Sequence, residues 1–325
     1  MLGEIVSSGA RGLGCMNLDY FVVDVFTEEA FKGNPLAVVM NTAGLSTEQM
    51  QAIAIEFNLS ETTFVERRAA EVEQREGVRV RIFTTEEELN FAGHPTLGTA
   101  SVLRSIAPET VVAGTVTLAE NVGQVPVRFE EQGTFGEMTQ REPEFGEELE
   151  AAEVARLCGL ETADLDPALR PRVVSTGTAF AIVVARSVAA LTRLAVRQQE
   201  SAVWLRERGA RWFYVLASTG EDDPAWRARM QFNGGEDPGT GSAAGCAISY
   251  LVKHGAVGAG QRVHVRQGVE MGRPSELYLC AHCELGKVSE VRVGGSTVLV
   301  AKGQLFLPGC TSFQQGFLKA SDGNY

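Results

Sequence analysis

The sequence predicts an α+β protein built of two similar domains related by a pseudo-twofold axis. Three observations carry this. The chain has 325 residues, which at roughly 150 residues per domain is room for two. Apolar runs of strand length alternate along it with a few helical patterns. The second half also repeats the first. "GNPLAVV" at 33–39 aligns with "GTAFAIV" at 177–183, and "HPTLGTA" at 94–100 with "DPGTGSA" at 237–243, at offsets of 144 and 143. Pro95 then falls on Pro238, Gly98 on Gly241, Thr99 on Ser242 and Ala100 on Ala243. Two matches at nearly one offset point to internal duplication.

The elements follow in order. Residues 1–15 are polar, small and unpatterned, and read as an extended or disordered leader. Met16 opens "MNLDYFVVDVF", the natural first strand, and "LAVVM" is the next. "STEQMQAIAIEF" places Met50, Ile53, Ala54 and Phe57 on one helical face, and Ser46 and Gln49 can cap its start reciprocally. "VRVRIF" alternates as a half-buried strand does. "HPTLGTASVL" is a small-residue helix with proline near its start, where a missing N–H costs little. The N-terminal domain is placed at 16–145. "EFGEELE" at 144–150 reads as the start of a helix and "LETADLDPALRP" at 160–171 as loop, so the C-terminal domain is placed at 146–310. The closing strands, 296–308, are expected to return to the first domain, because a chain that begins and ends as strand often closes its own sheet. Residues 311–325 read as a tail.

Composition removes several function classes. No stretch is apolar for long enough to cross a bilayer, and the N-terminus lacks the charged start and long apolar centre of a signal peptide. A cytoplasmic location without a membrane partner is expected. Net charge is -12 with no basic run, which argues against nucleic acid. Cys15, Cys158, Cys246, Cys280, Cys283 and Cys310 are scattered and read as free thiols. "CAHC" at 280–283 looks like half a zinc or redox motif, but no second ligand pair stands at metal spacing, so no metal is expected. "NLS" at 58–60 fits a glycosylation site and means nothing without secretion.

Each repeated motif is a turn, then a proline, then a helix of small residues. The first N–H groups of a helix lack intrahelical partners and carry partial positive charge. Two such starts aimed at one cleft would seat a carboxylate. Thr96, Thr99, Thr240 and Ser242 could add hydroxyl donors. No phosphate-loop pattern occurs. His94 stands just before the first helix and Asp237 just before the second. Alone, His94 reads equally as a turn residue bonded to a carbonyl, and Asp237 as an ordinary N-cap. Their matched places in the repeat favour a shared cleft. Glu61, in "FNLSETTFV", begins a strand between Leu59 and Phe64. Partial burial would raise its proton affinity and suit it to carry a proton near neutral pH, whereas the plain alternative is an exposed turn glutamate.

"DVFTEEAFKGNPLAVV", "FNLSETTFV", "ELNFAGHPTLGTA", "EDPGTGSAAG" and "VRVGGSTVLVAKG" together resemble the phenazine-biosynthesis PhzF-like family, in its order, over about residues 18–307. The resemblance implies the diaminopimelate epimerase-like fold: two pseudo-symmetric domains, each a curled, mostly antiparallel sheet around a central helix, with the active site between them. It implies acid/base chemistry without a cofactor, and a homodimer. By the matching motifs, Glu61 is the proton carrier and His94, Asp237 and Ser242 are pocket residues, with the backbone at Gly93, Gly241 and Ser242 holding a substrate carboxylate. Related racemases use two cysteines; neither helix start carries one here, and Cys246 lies a turn deeper.

The expected function is therefore a cofactor-independent isomerase that shifts a proton on a small carboxylate. Two alternatives stand beside it: a racemase or epimerase with Glu61 and Asp237 as opposed bases, and a non-catalytic binding protein that retains the pocket.

Overall fold

The structure, a computed structural model, describes residues 17–307 apart from 222, 224, 233 and 234. The expected leader and tail, with Cys15, Met16 and Cys310, lie outside the described residues. Eighteen strands among the described residues join into one continuous sheet, which curls twice. The first curl runs, by adjacency, through Thr297–Phe306, Asn17–Val25, Asn34–Val39, Glu61–Glu66, Val78–Phe83, Thr115–Glu120, Gly123–Phe129 and Gly136–Thr139. The second runs through Glu144–Glu148, Arg172–Ser175, Ala179–Ala185, Trp212–Ser218, Trp226–Arg229, Val263–Gln267, Ser275–Glu284 and Lys287–Gly295.

The two series match strand for strand. In each, the third and fourth strands pair parallel, the fifth and sixth pair parallel, and the other pairs are antiparallel. Each curl encloses one helix, Gly93–Ile106 in the first and Gly241–Lys253 in the second. This is the pseudo-symmetric α+β architecture expected from the repeat. The outermost strands change sides symmetrically. After Gly136–Thr139 the chain leaves the first curl and lays Glu144–Glu148 on the second, and after Lys287–Gly295 it returns to lay Thr297–Phe306 against Asn17–Val25. The curls also share a seam, Gly136–Thr139 against Lys287–Gly295.

The enclosed helices are small-residue helices because each is surrounded by sheet. A Cβ on Gly98 would lie 2.7 Å from Leu36 and 2.8 Å from Val25, and one on Gly245 would fall on the Gln140 side chain. Ten residues of the first helix and twelve of the second are buried, far more than an amphipathic surface helix hides, and the first turns polar only in its last part, at Ser101, Arg104 and Ser105. The Thr47–Phe57 helix instead covers the outside of the first sheet. Ser46 and Gln49 form its capping box, and Met50, Ile53 and Ala54 pack on Leu18, Val39, Phe64 and Phe83. Phe57 is half-buried against Tyr20, with ring centroids 5.1 Å apart.

One reading is corrected. Residues 144–148 are strand, paired with Arg172–Ser175, and the helix begins only at Ala151. The Glu150 carboxylate caps it, accepting from the N–H groups of Ala152 and Glu153. The acidic run suits a helix start, but pairing to the sheet overrides that preference along 144–148.

Candidate active site

The two enclosed helices meet end to end. A Cβ on Gly93 would lie 2.4 Å from the Ser242 nitrogen and 2.5 Å from the Gly241 carbonyl carbon, so the starts approach backbone to backbone and only glycine allows it. Neither start has a side-chain cap, since Ala92 and Thr240 occupy the N-cap positions without a capping hydrogen bond. Two sets of helix N–H dipoles therefore converge with no N-cap side chain to answer them. The first domain also reaches across: Gln140 donates from Nε2 to the Gly241 carbonyl at 2.9 Å, and Thr176 holds the Gln140 oxygen at 2.7 Å.

A cavity of about 330 Å³ opens at this junction. Glu61, Asp237 and Ser242 line it, and Phe91, Phe180, Trp212 and Phe232 make its apolar wall. Trp212 stands between Phe180 and Phe232, with ring centroids 5.8 and 5.9 Å away. Arg211 lies over the Trp212 ring and pairs across the mouth with Glu87 from the other half. A second cavity of about 340 Å³, beside Phe21, Arg104 and Phe129, is lined by no carboxylate, histidine or thiol.

Asn34, which sequence reasoning did not single out, joins the polar residues. Its Nδ2 is 3.0 Å from His94 Nδ1 and donates to Asp237 Oδ1 at 2.8 Å and to the Gly239 carbonyl at 3.0 Å. A carboxylate and a carbonyl can only accept, which assigns the nitrogen to that side of the amide. An amide nitrogen cannot accept, so His94 Nδ1 faces it unprotonated and shares its two protons with Asp237 and Gly239, and the ring proton sits on Nε2, 3.4 Å from Glu61 Oε2 with no hydrogen bond formed between them. Burial pushes the His94 pKa down to about 3, so the imidazole is neutral. Glu61 starts its strand opposite Leu36, just after the left-handed Asn58 ends the preceding helix. Its side chain is 16% exposed. Burial, and then the neighbouring Asp237 carboxylate, hold its proton affinity well above the usual carboxylate range, with Arg211 pulling the other way. Burial raises Asp237 as well, opposed by hydrogen bonds from Thr240, Asn34 and Ser60. Two carboxyl groups in one poorly solvated site do not ionise together easily.

Of the residues picked from sequence, Glu61, Asp237, Thr240 and Ser242 reach the cavity wall, and His94, Gly93 and Gly241 stand immediately behind it. Three proposed hydroxyl donors are committed elsewhere. Thr96 bonds the Ala92 carbonyl, Thr99 pairs with Thr63, and Thr240 donates to Asp237 at 2.5 Å. Each hydroxyl is buried with a protein partner already in place, although Thr240 does line the cavity. Cys246 faces Thr176 and the Thr178 carbonyl, and burial pushes its thiol up to about 11, so it is core. Cys280 is buried beside Arg292 at 3.3 Å. Among the described residues no group of three His, Cys, Asp or Glu is arranged to hold a metal, and no helix is long and apolar enough to cross a membrane.

Asn34 was within reach of the sequence. The repeat aligns it with Thr178, which lines the cavity. Arg211 and Gln267 lie outside both matched segments and gave no such signal.

Comparison with known proteins agrees with this architecture. Residues 23–303 match the phenazine biosynthesis-like protein family. An uncharacterized isomerase of Mesorhizobium japonicum is 36% identical over 302 residues, covering 89% of this chain and 99% of that one. A trans-2,3-dihydro-3-hydroxyanthranilate isomerase of Pseudomonas aeruginosa is 35% identical over 295 residues, with 89% and 99% covered. The crystal structure of a Bacillus anthracis phenazine biosynthesis protein of the PhzF family superposes with a TM-score of 0.78 at 25% identity, covering 90% of this chain and all of that one. The chain belongs to the phenazine biosynthesis-like (PhzF) family and carries its diaminopimelate epimerase-like fold.

Proposed function

We propose that the protein is a cofactor-independent isomerase that shifts a proton within a small, unsaturated carboxylate. One observation carries the reading: Glu61, its proton affinity raised, lies on the cavity wall beside two uncapped helix starts, with the His94 Nε2–H behind it. The substrate carboxylate sits on the N–H groups near Gly93, Gly241 and Ser242. Ionised Glu61 takes a proton from an activated carbon. The electron pair that is left spreads toward the carboxylate, where the N–H dipoles are already aimed, so little reorganisation is needed as charge develops. Neutral Glu61 then returns the proton to another carbon of the same conjugated system, and the double bond moves without gain or loss of electrons. Neutral His94 orients the Glu61 carboxyl, and Asp237 accepts from an amine or hydroxyl of the substrate.

Asp237 is a poor second base. Its oxygens already take hydrogen bonds from Asn34 and Thr240, which favours a one-base shift over inversion between opposed bases. The test is incubation with small carboxylates in heavy water, beginning with trans-2,3-dihydro-3-hydroxyanthranilate, the compound named for the Pseudomonas relatives. Deuterium at a new carbon with a moved double bond is the expected product. Deuterium at one inverted centre, with unsaturation unchanged, would replace this reading by the epimerase one.

A further inference from the structure

The two helix starts are braced by equivalent side chains of unequal chemistry. In the second half Gln267 closes the strand Val263–Gln267 and reaches the start of its helix. It accepts from the Thr240 N–H at 3.1 Å and donates to Thr240 Oγ1 at 2.9 Å and to the Asp237 carbonyl at 2.8 Å. In the first half the matching strand, Thr115–Glu120, ends in Glu120, which reaches Thr96 in the first turn of the other helix. The strands are topologically the same: each follows its enclosed helix, pairs parallel with a strand that precedes that helix (Val78–Phe83 or Trp226–Arg229) and antiparallel with the next. Where one half uses an amide, the other uses a carboxyl that is 5% exposed.

The hydrogen positions around Thr96 decide the state of that carboxyl. Thr96 Oγ1 is 2.7 Å from the Ala92 carbonyl and 2.6 Å from Glu120 Oε1. A hydroxyl has one proton, and the carbonyl can only accept. If Thr96 donates to the carbonyl, the contact with Glu120 needs a proton from Glu120. The other carboxyl oxygen, Oε2, is buried with no hydrogen-bond partner, which a neutral acid tolerates far better than an ion. Arg79, on the adjoining strand, is the charged group facing it, and its guanidinium is held by the Ala119 carbonyl and by Asn121. Across the next strand the paired residue is Gly123, and the titratable group on the helix start itself is the neutral His94. Burial pushes Glu120 up to about 8, with the Thr96 hydrogen bond opposing.

We propose that Glu120 is a positioning residue that works as a protonated carboxylic acid, the counterpart of Gln267, and that it fixes the helix start carrying Gly93 and His94. The bracing stands on its own contacts; its bearing on chemistry rests on the reading of the cleft given above. Ionisation of Glu120 removes its donor and leaves a buried charge against Thr96, so the His94 end of the site loosens on the alkaline side while the Gln267 end does not.

Glu120→Gln keeps the shape and supplies an N–H to Thr96 at every pH. The native acid holds a proton that the unfolded chain releases, so its contribution is full below the ordinary carboxylate range and falls as pH rises toward about 8. The variant therefore melts higher than the native protein at neutral pH. The gap widens from about pH 5 to about pH 8 and is constant beyond. Infrared difference spectra between the two proteins show the carbonyl stretch of a protonated acid at pH 7, fading near pH 8. With isotope-labelled histidine, the His94 resonances move through the same range in the native protein and stay fixed in the variant. Should Glu120→Gln not fold, Thr96→Val removes the acceptor and must shift the infrared band. Absence of the band, or a melting gap independent of pH, overturns the protonated state. His94 resonances that ignore the titration overturn the positioning role. None of these readouts needs turnover, so failure of the proposed isomerisation leaves them standing.

Discussion

At the scale of single residues, the site depends on how its charges are limited. As the proposed base, Glu61 works only when ionised, and its pKa is raised, so turnover should rise with pH through a limb displaced above the ordinary carboxylate range. The Asp237 charge is the second cause of that displacement. Asp237→Asn should therefore move the limb to lower pH, whatever it does to the maximum rate. A pH profile of deuterium exchange measures this, and an unmoved limb would detach Asp237 from Glu61. Asn34 makes three contacts that fix the His94 tautomer and answer Asp237. Asn34→Ala leaves buried acceptors unpaired and should cost about 1–3 kcal/mol of stability, read from denaturant midpoints at unchanged slope. Glu61, His94, Asp237 and Ser242 were legible in the sequence because each sits in a distinctive short motif. Asn34 was reachable only through its place in the repeat, because its partners are 60 and 203 positions away and no local motif reports such a contact. The hydroxyls of Thr96, Thr99 and Thr240 were misread for a related reason. Their residue type was visible, but the buried acceptors beside them were not.

At the scale of elements, the two enclosed helices act as one device. Their starts meet because Gly93 carries no side chain, and nothing near it can give way, since the closest atoms to a Gly93 Cβ are the backbone of Gly241 and Ser242. Gly93→Ala should separate the starts and lower turnover by about 10²-fold, the usual penalty for roughly 1 Å of misplacement. Calorimetry with a substrate carboxylate should show the loss in binding as well as rate; unchanged binding would mean that the starts do not hold the carboxylate. Gly98 lies against Leu36 and Val25, so Gly98→Ala overpacks the core and should cost about 1–3 kcal/mol without moving the cleft. The small-residue composition of both helices was legible and carried its meaning. The strand at 144–148 was not, because its acidic run favours a helix start and its partner, Arg172–Ser175, lies beyond a helix and a loop.

At the scale of the whole molecule, the repeat explains why the site lies between the halves. Each half supplies a helix start, and neither start alone makes a two-sided seat. The exchange of outer strands ties the halves together, with Thr297–Phe306 covering Asn17–Val25 across the full length of the chain. Removing residues 297–307 should expose one edge of that strand, and hydrogen exchange should accelerate at those Phe21–Val25 amides that face the deleted strand rather than Asn34–Val39. Protection that survives the deletion would show that the crossing is dispensable. The central claim is that Glu61 moves a proton in this cleft. The most direct measurement is incorporation of solvent deuterium into a bound unsaturated carboxylate by the native protein and by Glu61→Gln, with binding of the same compound measured for both. The variant should bind the compound while exchange falls by about 10²–10⁴-fold; full exchange by Glu61→Gln would show that another group moves the proton.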